Sequence, residues 1–282
     1  MDTNYLLGLE QTVANALGED GAGLDVTAQL IAADQSATAD VITRETAVIC
    51  GRPWVDEVFR QVDETVSVEW FVAEGEQVSP DTRLFRASGP ARSILTAERT
   101  ALNFLQTISG TATRTAHYAA LVAHKPTRLL DTRKTLPGMR RAQKYAVKQG
   151  GGDNHRMGLS DAFLIKENHI VAAGSISLAI ARARALFADR RVEIEVENLA
   201  QFREAAAAKP DWIMLDNFSI DDMRLAVGER TGELRLEASG GIETDDDFMR
   251  IAETGVDYIS VGALTKHCRA IDLSMRFVAE PN

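Results

Sequence analysis

The chain has 282 residues, 45% of them hydrophobic and 26% charged, with a net charge of −10. This is enough apolar material for one large domain or two modest ones, and the acidic surplus excludes a general nucleic-acid binder. No apolar run approaches the ~18 residues of a membrane span, and the opening MDTNYLLGLEQTV lacks the basic start and apolar stretch of a secretory leader, so a cytoplasmic protein is expected. Cys50 and Cys268 stand in no CxxC or metal-ligand spacing and read as buried free thiols.

In chain order, the first ~35 residues read as helix and loop. From Ala39 to about Ala87 the pattern turns to short strands, at 47–51, 66–71 and 84–87, split by Gly, Pro and Asp turns. Thr96 to Thr107 reads as a helix. Thr96 is its cap, Ala97, Ala101, Leu102, Leu105 and Ile108 share one face, and Ser109-Gly110 is its stop.

From Thr127 the rhythm changes. Six short apolar runs, at 128–131, 162–166, 192–195, 212–216, 234–238 and 258–261, alternate with helical patterns such as 176–187, 199–208 and 245–253. Alternating β/α units imply a parallel sheet with right-handed crossovers, and their even spacing favours a barrel over an open sheet. Asp131, Lys166, Glu195, Asp216 and Glu237 fall near the ends of these runs, and that end of a β/α barrel carries the active site.

The basic residues are concentrated. Residues 125–156 hold nine Lys or Arg and two acids, about +7 in a chain of −10. Arg140, Arg141, Lys144 and Lys148 are also explained by a solvated helix face. Arg133, Lys134, His155, Arg156 and Lys166 are not, and a set of fixed cations points to a ligand with more than one negative group. A Schiff-base lysine is the rival reading for Lys134 or Lys166. No HxH or HxxxH partner accompanies His155, and His169 reads as a helix-start or packing residue.

Two further constellations stand out. Ser239-Gly240-Gly241 and Val261-Gly262-Ala263 follow the last two strands and precede helical patterns, where barrels hold a phosphate on backbone N–H groups. Glu195 and Asp216 end adjacent strands, which suits a Mg²⁺ shared with phosphate oxygens or else ion pairs with Lys166 or Lys134. Glu193 and Glu197 share the alternation of Glu195, so the pattern does not decide which acid points inward.

Residues 97–106 (AERTALNFLQ), 109–113 (SGTAT), 131–138 (DTRKTLPG), 150–159 (GGGDNHRMGL), 164–169 (LIKENH), 215–218 (LDNF) and 237–242 (EASGGI) together resemble the quinolinate phosphoribosyltransferase family, in order along most of the chain. The resemblance implies an α/β fold: an incomplete β/α barrel of about six or seven parallel strands with an N-terminal β-sandwich-like α+β domain. It implies domains at 1–112 and 113–269, with 270–282 packing back on the first. It also implies a homodimer or higher homo-oligomer with shared active sites and no nucleic-acid or membrane partner. Arg99 would enter the neighbour's pocket. Arg133, Lys134, Thr135, His155, Arg156 and Lys166 would bind quinolinate. Lys134, Glu195, Asp216, Ser239, Gly240, Gly241, Val261, Gly262 and Ala263 would bind phosphoribosyl pyrophosphate, with Glu195 and Asp216 also serving Mg²⁺.

Lys266 stands where many relatives carry a histidine. The implied reaction gives nicotinate mononucleotide, pyrophosphate and CO₂ in NAD biosynthesis and needs no general base, in keeping with the lack of a His/Asp dyad at the strand ends. The alternatives are another pyridine such as nicotinate, a molybdenum-uptake-associated substrate, or a non-catalytic phosphometabolite-binding protein. The last should have lost Lys134, Glu195 or Asp216.

Overall fold

The computed structural model describes residues 4–278. The chain divides into two units. One comprises 1–116, 135–151 and 264–282, the other 117–134 and 152–263.

The first unit is built on antiparallel pairing. Strand β1 (Ser36–Thr43) lies between β5 (Arg83–Pro90) and the last strand, β12 (Leu273–Phe277), and β3 (Ser67–Trp70) adds to β5. The short strands β2 (Ala47–Val48) and β4 (Gln77–Val78) form a separate ladder. The N-terminal part is thus one four-stranded sheet, a two-stranded ladder and helices. The helices are α1 (Leu9–Asp20), α2 (Arg52–Val62), the long α3 (Ala91–Leu121) and α4 (Arg140–Gln149). Apolar faces from all four helices meet the sheet in one core that includes Val13, Val41, Trp54, Phe59, Phe85, Leu105 and Ala146.

Two expectations are corrected here. Helix α3 neither starts at Thr96 nor stops at Ser109-Gly110 but runs over 31 residues. Thr96 is an interior residue whose hydroxyl donates to Asp25 Oδ2 at 3.0 Å. Ser109 and Gly110 serve contact rather than termination. Ser109 Oγ donates to the Cys50 carbonyl at 3.0 Å and accepts from the Cys50 N–H at 2.9 Å. A Cβ on Gly110 would lie 2.1 Å from the Arg269 carbonyl oxygen. On α4, Lys144 is fully buried, so this helix does not present all its cations to solvent.

The second unit is an all-parallel six-stranded sheet. Its strands are β6 (Arg128–Leu130), β7 (Phe163–Ile165), β8 (Val192–Val196), β9 (Trp212–Asp216), β10 (Arg235–Ser239) and β11 (Tyr258–Ser260). Their order is β6-β11-β10-β9-β8-β7, the circular order of a β/α barrel opened between its first two strands. Only the isolated bridge Leu130–Asp153 reaches out on the β6 side of that opening. Helices α5 (Glu167–Ala173), α6 (Ile176–Leu186), α7 (Leu199–Ala207), α8 (Ile220–Glu229), α9 (Asp245–Ala252) and the short α10 (Ala263–Lys266) follow the strands. Ser175, Asn198, Ser219 and Thr244 cap α6 to α9, each side chain accepting from a first-turn N–H. Helix residues such as Ile180, Phe202, Met223 and Phe248 are buried along with the strand residues Ile194, Ile213, Leu236 and Ile259. A parallel sheet covered by helices requires such runs, and the caps fix where each crossover begins.

Candidate active site

The C-terminal ends of these strands surround a cavity of about 420 Å³. Lys134 and Arg133 follow β6, Lys166 follows β7, Glu195 sits near the end of β8, and Asp216 and Ser239 end β9 and β10. Arg156, Asn217, Gly240 and Ser260 complete the rim, and the buried His155 and Glu237 form the inner wall. Arg133, Arg156 and Lys166 also line an adjoining, more apolar recess of about 490 Å³ with Leu159, Phe163 and Leu186.

The segment carrying Arg156 is held at several points. Asp131, fully buried, accepts the His155 N–H at 2.8 Å on one oxygen and the Asn154 amide at 2.7 Å on the other. The Arg156 N–H donates to His155 Nδ1 at 2.8 Å. Burial, and then the neighbouring Arg133 guanidinium, hold the Arg156 pKa below its ordinary value. Two guanidiniums kept close in a half-dry cleft are a site waiting for an anion.

Lys166 forms an ion pair with Glu195. The Lys166 N–H is accepted by His169 Nδ1 at 3.0 Å, so His169 is the helix-start residue its position suggested. Of the three alternating acids, Glu193 is fully buried, Glu195 is partly buried and Glu197 is exposed. Asn217, at φ 53°, donates its amide to Asp216 Oδ2 at 3.0 Å. Gly240, at φ +87°, brings its backbone against that same side chain, where a Cβ would lie 2.2 Å from Asn217 Oδ1. Gly262 admits Lys134, whose Cδ would lie 3.0 Å from a Cβ there. Gly241, Val261, Gly262 and Ala263 do not line the cavity.

Three further expected or flagged residues belong to the first unit. Arg99 is exposed on α3, Lys266 is exposed, and the Thr135 hydroxyl accepts from Arg140 Nε at 3.1 Å.

His155 lines the cavity and is also tied into the barrel behind it. Its ring is turned away from the mouth: Nε2 lies 3.0 Å from Glu193 Oε2 and 3.3 Å from Glu237 Oε2, straddling the two carboxylates and fully aligned with neither. With Nδ1 taken by the Arg156 N–H, both ring nitrogens face protein atoms. A histidine–carboxylate cluster is therefore present, inside the barrel rather than at the strand ends. Sequence reasoning passed over Glu193 and Glu237 as partners. Their signal was two acids at interior positions of strands β8 and β10, where apolar side chains are the rule.

Burial works against a charge on His155, but hydrogen bonding to Glu193 and Glu237 outweighs it and lifts the pKa to about 9. Burial, then the Glu193 charge, pushes Glu237 up to about 7. The tautomer follows from the hydrogen-bond network: a lone pair on Nδ1 faces the amide and the ring proton sits on Nε2. The extra proton that the cluster retains is then held on the carboxylate side, at Glu237.

Family models settle the kinship. The model described as "Quinolinate phosphoribosyl transferase, N-terminal domain" matches residues 25–109, and its C-terminal counterpart matches 111–276. The chain belongs to the quinolinate phosphoribosyl transferase family. Among members of this family, the nicotinate-nucleotide pyrophosphorylase [carboxylating] of Mycobacterium leprae is 39% identical, over 94% of this chain and 95% of its own. The probable enzyme of that name from Bacillus subtilis is 37% identical, covering 95% and 93%. A solved nicotinate-nucleotide pyrophosphorylase from Francisella tularensis superposes with a TM-score of 0.93 at 49% identity, covering 96% of each chain. The fold class expected from the family resemblance, a mixed α/β chain with one parallel sheet and an antiparallel N-terminal one, is the one observed.

Proposed function

We infer that this chain transfers a phosphoribosyl group from phosphoribosyl pyrophosphate to quinolinate, releasing nicotinate mononucleotide, pyrophosphate and CO₂, as a pentosyltransferase of NAD biosynthesis. The observation that carries the reading is the cationic group Arg133, Arg156 and Lys166 beside a rim of Glu195, Asp216, Ser239 and Gly240 in one cleft. A pyridine bearing two carboxylates meets the first set, and a ribose phosphate meets the second.

The chain's work is to hold two polyanions together. Arg133 and Arg156 offset the repulsion on the acid side, and their desolvated guanidiniums favour a planar carboxylate over water. Lys134, packed against Gly262, stands beside the turn after β11 and bridges the two sides. Its ammonium stabilises the leaving pyrophosphate as the C1–O bond breaks. The pyridine nitrogen supplies the electron pair for the new C–N bond, so no side chain has to remove a proton. The pyridinium then stabilises the electron pair that departing CO₂ leaves on the ring carbon, and that carbon takes up a proton from water to give the mononucleotide.

Glu195 and Asp216 are oxygen donors on adjacent strands and suit a hard cation, with Asn217 orienting Asp216. Mg²⁺ held there with phosphate oxygens would neutralise charge on the leaving group. With such a cation bound, Glu195 would be shared between the metal and Lys166, leaving Lys166 to meet the acid. Ser239 and Gly240, which line the cleft, hold the 5-phosphate on backbone N–H groups, and Gly241, Val261, Gly262 and Ala263 complete the two turns around it. His155, on the cavity's inner wall, serves the acid side beside Arg156. Thr135 is assigned to the acid side.

We further propose a cytoplasmic homodimer or higher homo-oligomer in which Arg99 of one subunit completes the neighbour's acid pocket. Among the described residues no single helix is long and apolar enough to cross a membrane. A substrate panel tests the reading. Turnover with quinolinate and none with nicotinate supports two recognised carboxylates, and equal turnover of both would refute it.

A further inference from the structure

Inside the barrel lies an arrangement that the reaction, as described, does not use. Glu193 on β8 and Glu237 on β10 are both fully buried, with β9 between them; Glu237 belongs to the cleft's inner wall and Glu193 does not line it. Burying two carboxylates side by side is costly, and apolar side chains would fill the space more cheaply. Two cations besides His155 act on Glu193: Arg191, with Nη2 3.5 Å from Glu193 Oε2 and its guanidinium 4.0 Å over the Trp212 ring, and Arg156, whose charge Glu193 favours. Trp212 in turn stacks on Tyr258 at 4.2 Å and meets the His155 ring edge-on at 6.5 Å. The imidazole is therefore walled by an aromatic on one side and straddles two acceptors at its tip. It has one orientation, and in that orientation Nδ1 faces the Arg156 N–H.

We propose that Glu193 and Glu237 are positioning residues for acid recognition: they anchor the Nε2–H of His155 inside the barrel so that Nδ1 fixes the backbone of Arg156 beneath the cleft. The proposal rests on the phosphoribosyl-transfer reading and adds two residues whose part is to hold His155. Asp131 holds the same segment from the other side through the His155 N–H, so Arg156 is clamped at successive peptide groups. Loss of either carboxylate frees the ring to turn, and the Arg156 guanidinium loses its fixed base.

The test has two arms. In the first, ring ¹⁵N NMR of His155 in the full-length protein reads the tautomer without any substrate. A lone pair on Nδ1 and a proton on Nε2 are expected, and a protonated Nδ1 in the resting protein overturns the clamp. The second arm is kinetic. Glu237→Leu should raise KM for the pyridine dicarboxylate about tenfold more than KM for phosphoribosyl pyrophosphate, and Glu237→Gln, which keeps an acceptor oxygen, should recover most of that loss. Equal effects on both KM values, or no recovery by Gln, overturn it.

If the Leu variant does not fold, the Gln variant and the NMR arm still decide. The three ligating atoms are also close enough to chelate a metal ion. Stoichiometric metal surviving chelation in the wild type and absent in Glu237→Gln would replace the clamp with a metal site. Lack of turnover by the wild type with quinolinate would remove the functional reading and leave the NMR result standing.

Discussion

Gly240 and Asn217 fit together because one of them has no side chain. A Cβ on Gly240 would lie 2.2 Å from Asn217 Oδ1, and the glycine sits at φ +87°, in the left-handed region. Asn217 holds Asp216. Gly240→Ala should therefore disturb two things at once, the phosphate turn and the Asp216 carboxylate. We expect a cost of about 1–3 kcal/mol and a rise in KM for phosphoribosyl pyrophosphate of roughly tenfold or more. Gly228 in α8 has open space around it, so Gly228→Ala should be neutral or stabilising by up to about 1 kcal/mol. Thermal melts and initial rates of both variants check the contrast.

Arg156→Ala should leave the fold intact and weaken the acid side. The side chain is half-buried beside Arg133, and its pKa is lowered by burial and by that neighbour, so its removal relieves repulsion in the empty cleft. Stability should hold or rise slightly. KM for quinolinate should increase on the order of 100-fold, the loss of about two charge-assisted hydrogen bonds. An unchanged KM would contradict the pocket.

Gly110 offers a reversal of sign. Gly→Ala inside a helix normally stabilises by about 1 kcal/mol. In α3 the new Cβ would meet the Arg269 carbonyl at 2.1 Å, and backbone does not yield cheaply. Gly110→Ala should destabilise by about 2–3 kcal/mol, read as a lowered denaturant midpoint.

The buried cluster predicts a pH dependence. Burial and pairing lift His155 to about 9 and Glu237 to about 7, so the cluster as a whole holds its extra proton more tightly in the folded chain than in the unfolded one. Stability from such groups is fully present below their unfolded values, about 4.3 for Glu and 6.5 for His. It is lost as pH rises through the folded ones. The melting temperature should fall between about pH 7 and 9, and the fall should shrink in Glu237→Gln. A melting temperature that rises over that interval would contradict the account.

How much of this was legible in the sequence follows a physical division. The six parallel strands were readable because each is a short apolar run, three of them followed directly by a capped helix, a local signal. The N-terminal sheet was read only in part, because β12 and β1 pair across most of the chain and no local pattern announces such a partner. Gly110 misled because a glycine that ends a helix and one that admits a neighbouring backbone look alike in sequence. The cations at the cleft were legible because charges near turns have few structural excuses. Glu193 and Glu237 were not, since their meaning depends on a histidine from another loop reaching them through the barrel.

The central claim meets its most direct test in a single assay. The purified chain is incubated with phosphoribosyl pyrophosphate, Mg²⁺ and quinolinate labelled in its 2-carboxylate, and released CO₂ and pyrophosphate are counted together. The account predicts both products in equal amounts, with nicotinate mononucleotide accumulating in step. Release of neither, or pyrophosphate without labelled CO₂, would contradict it.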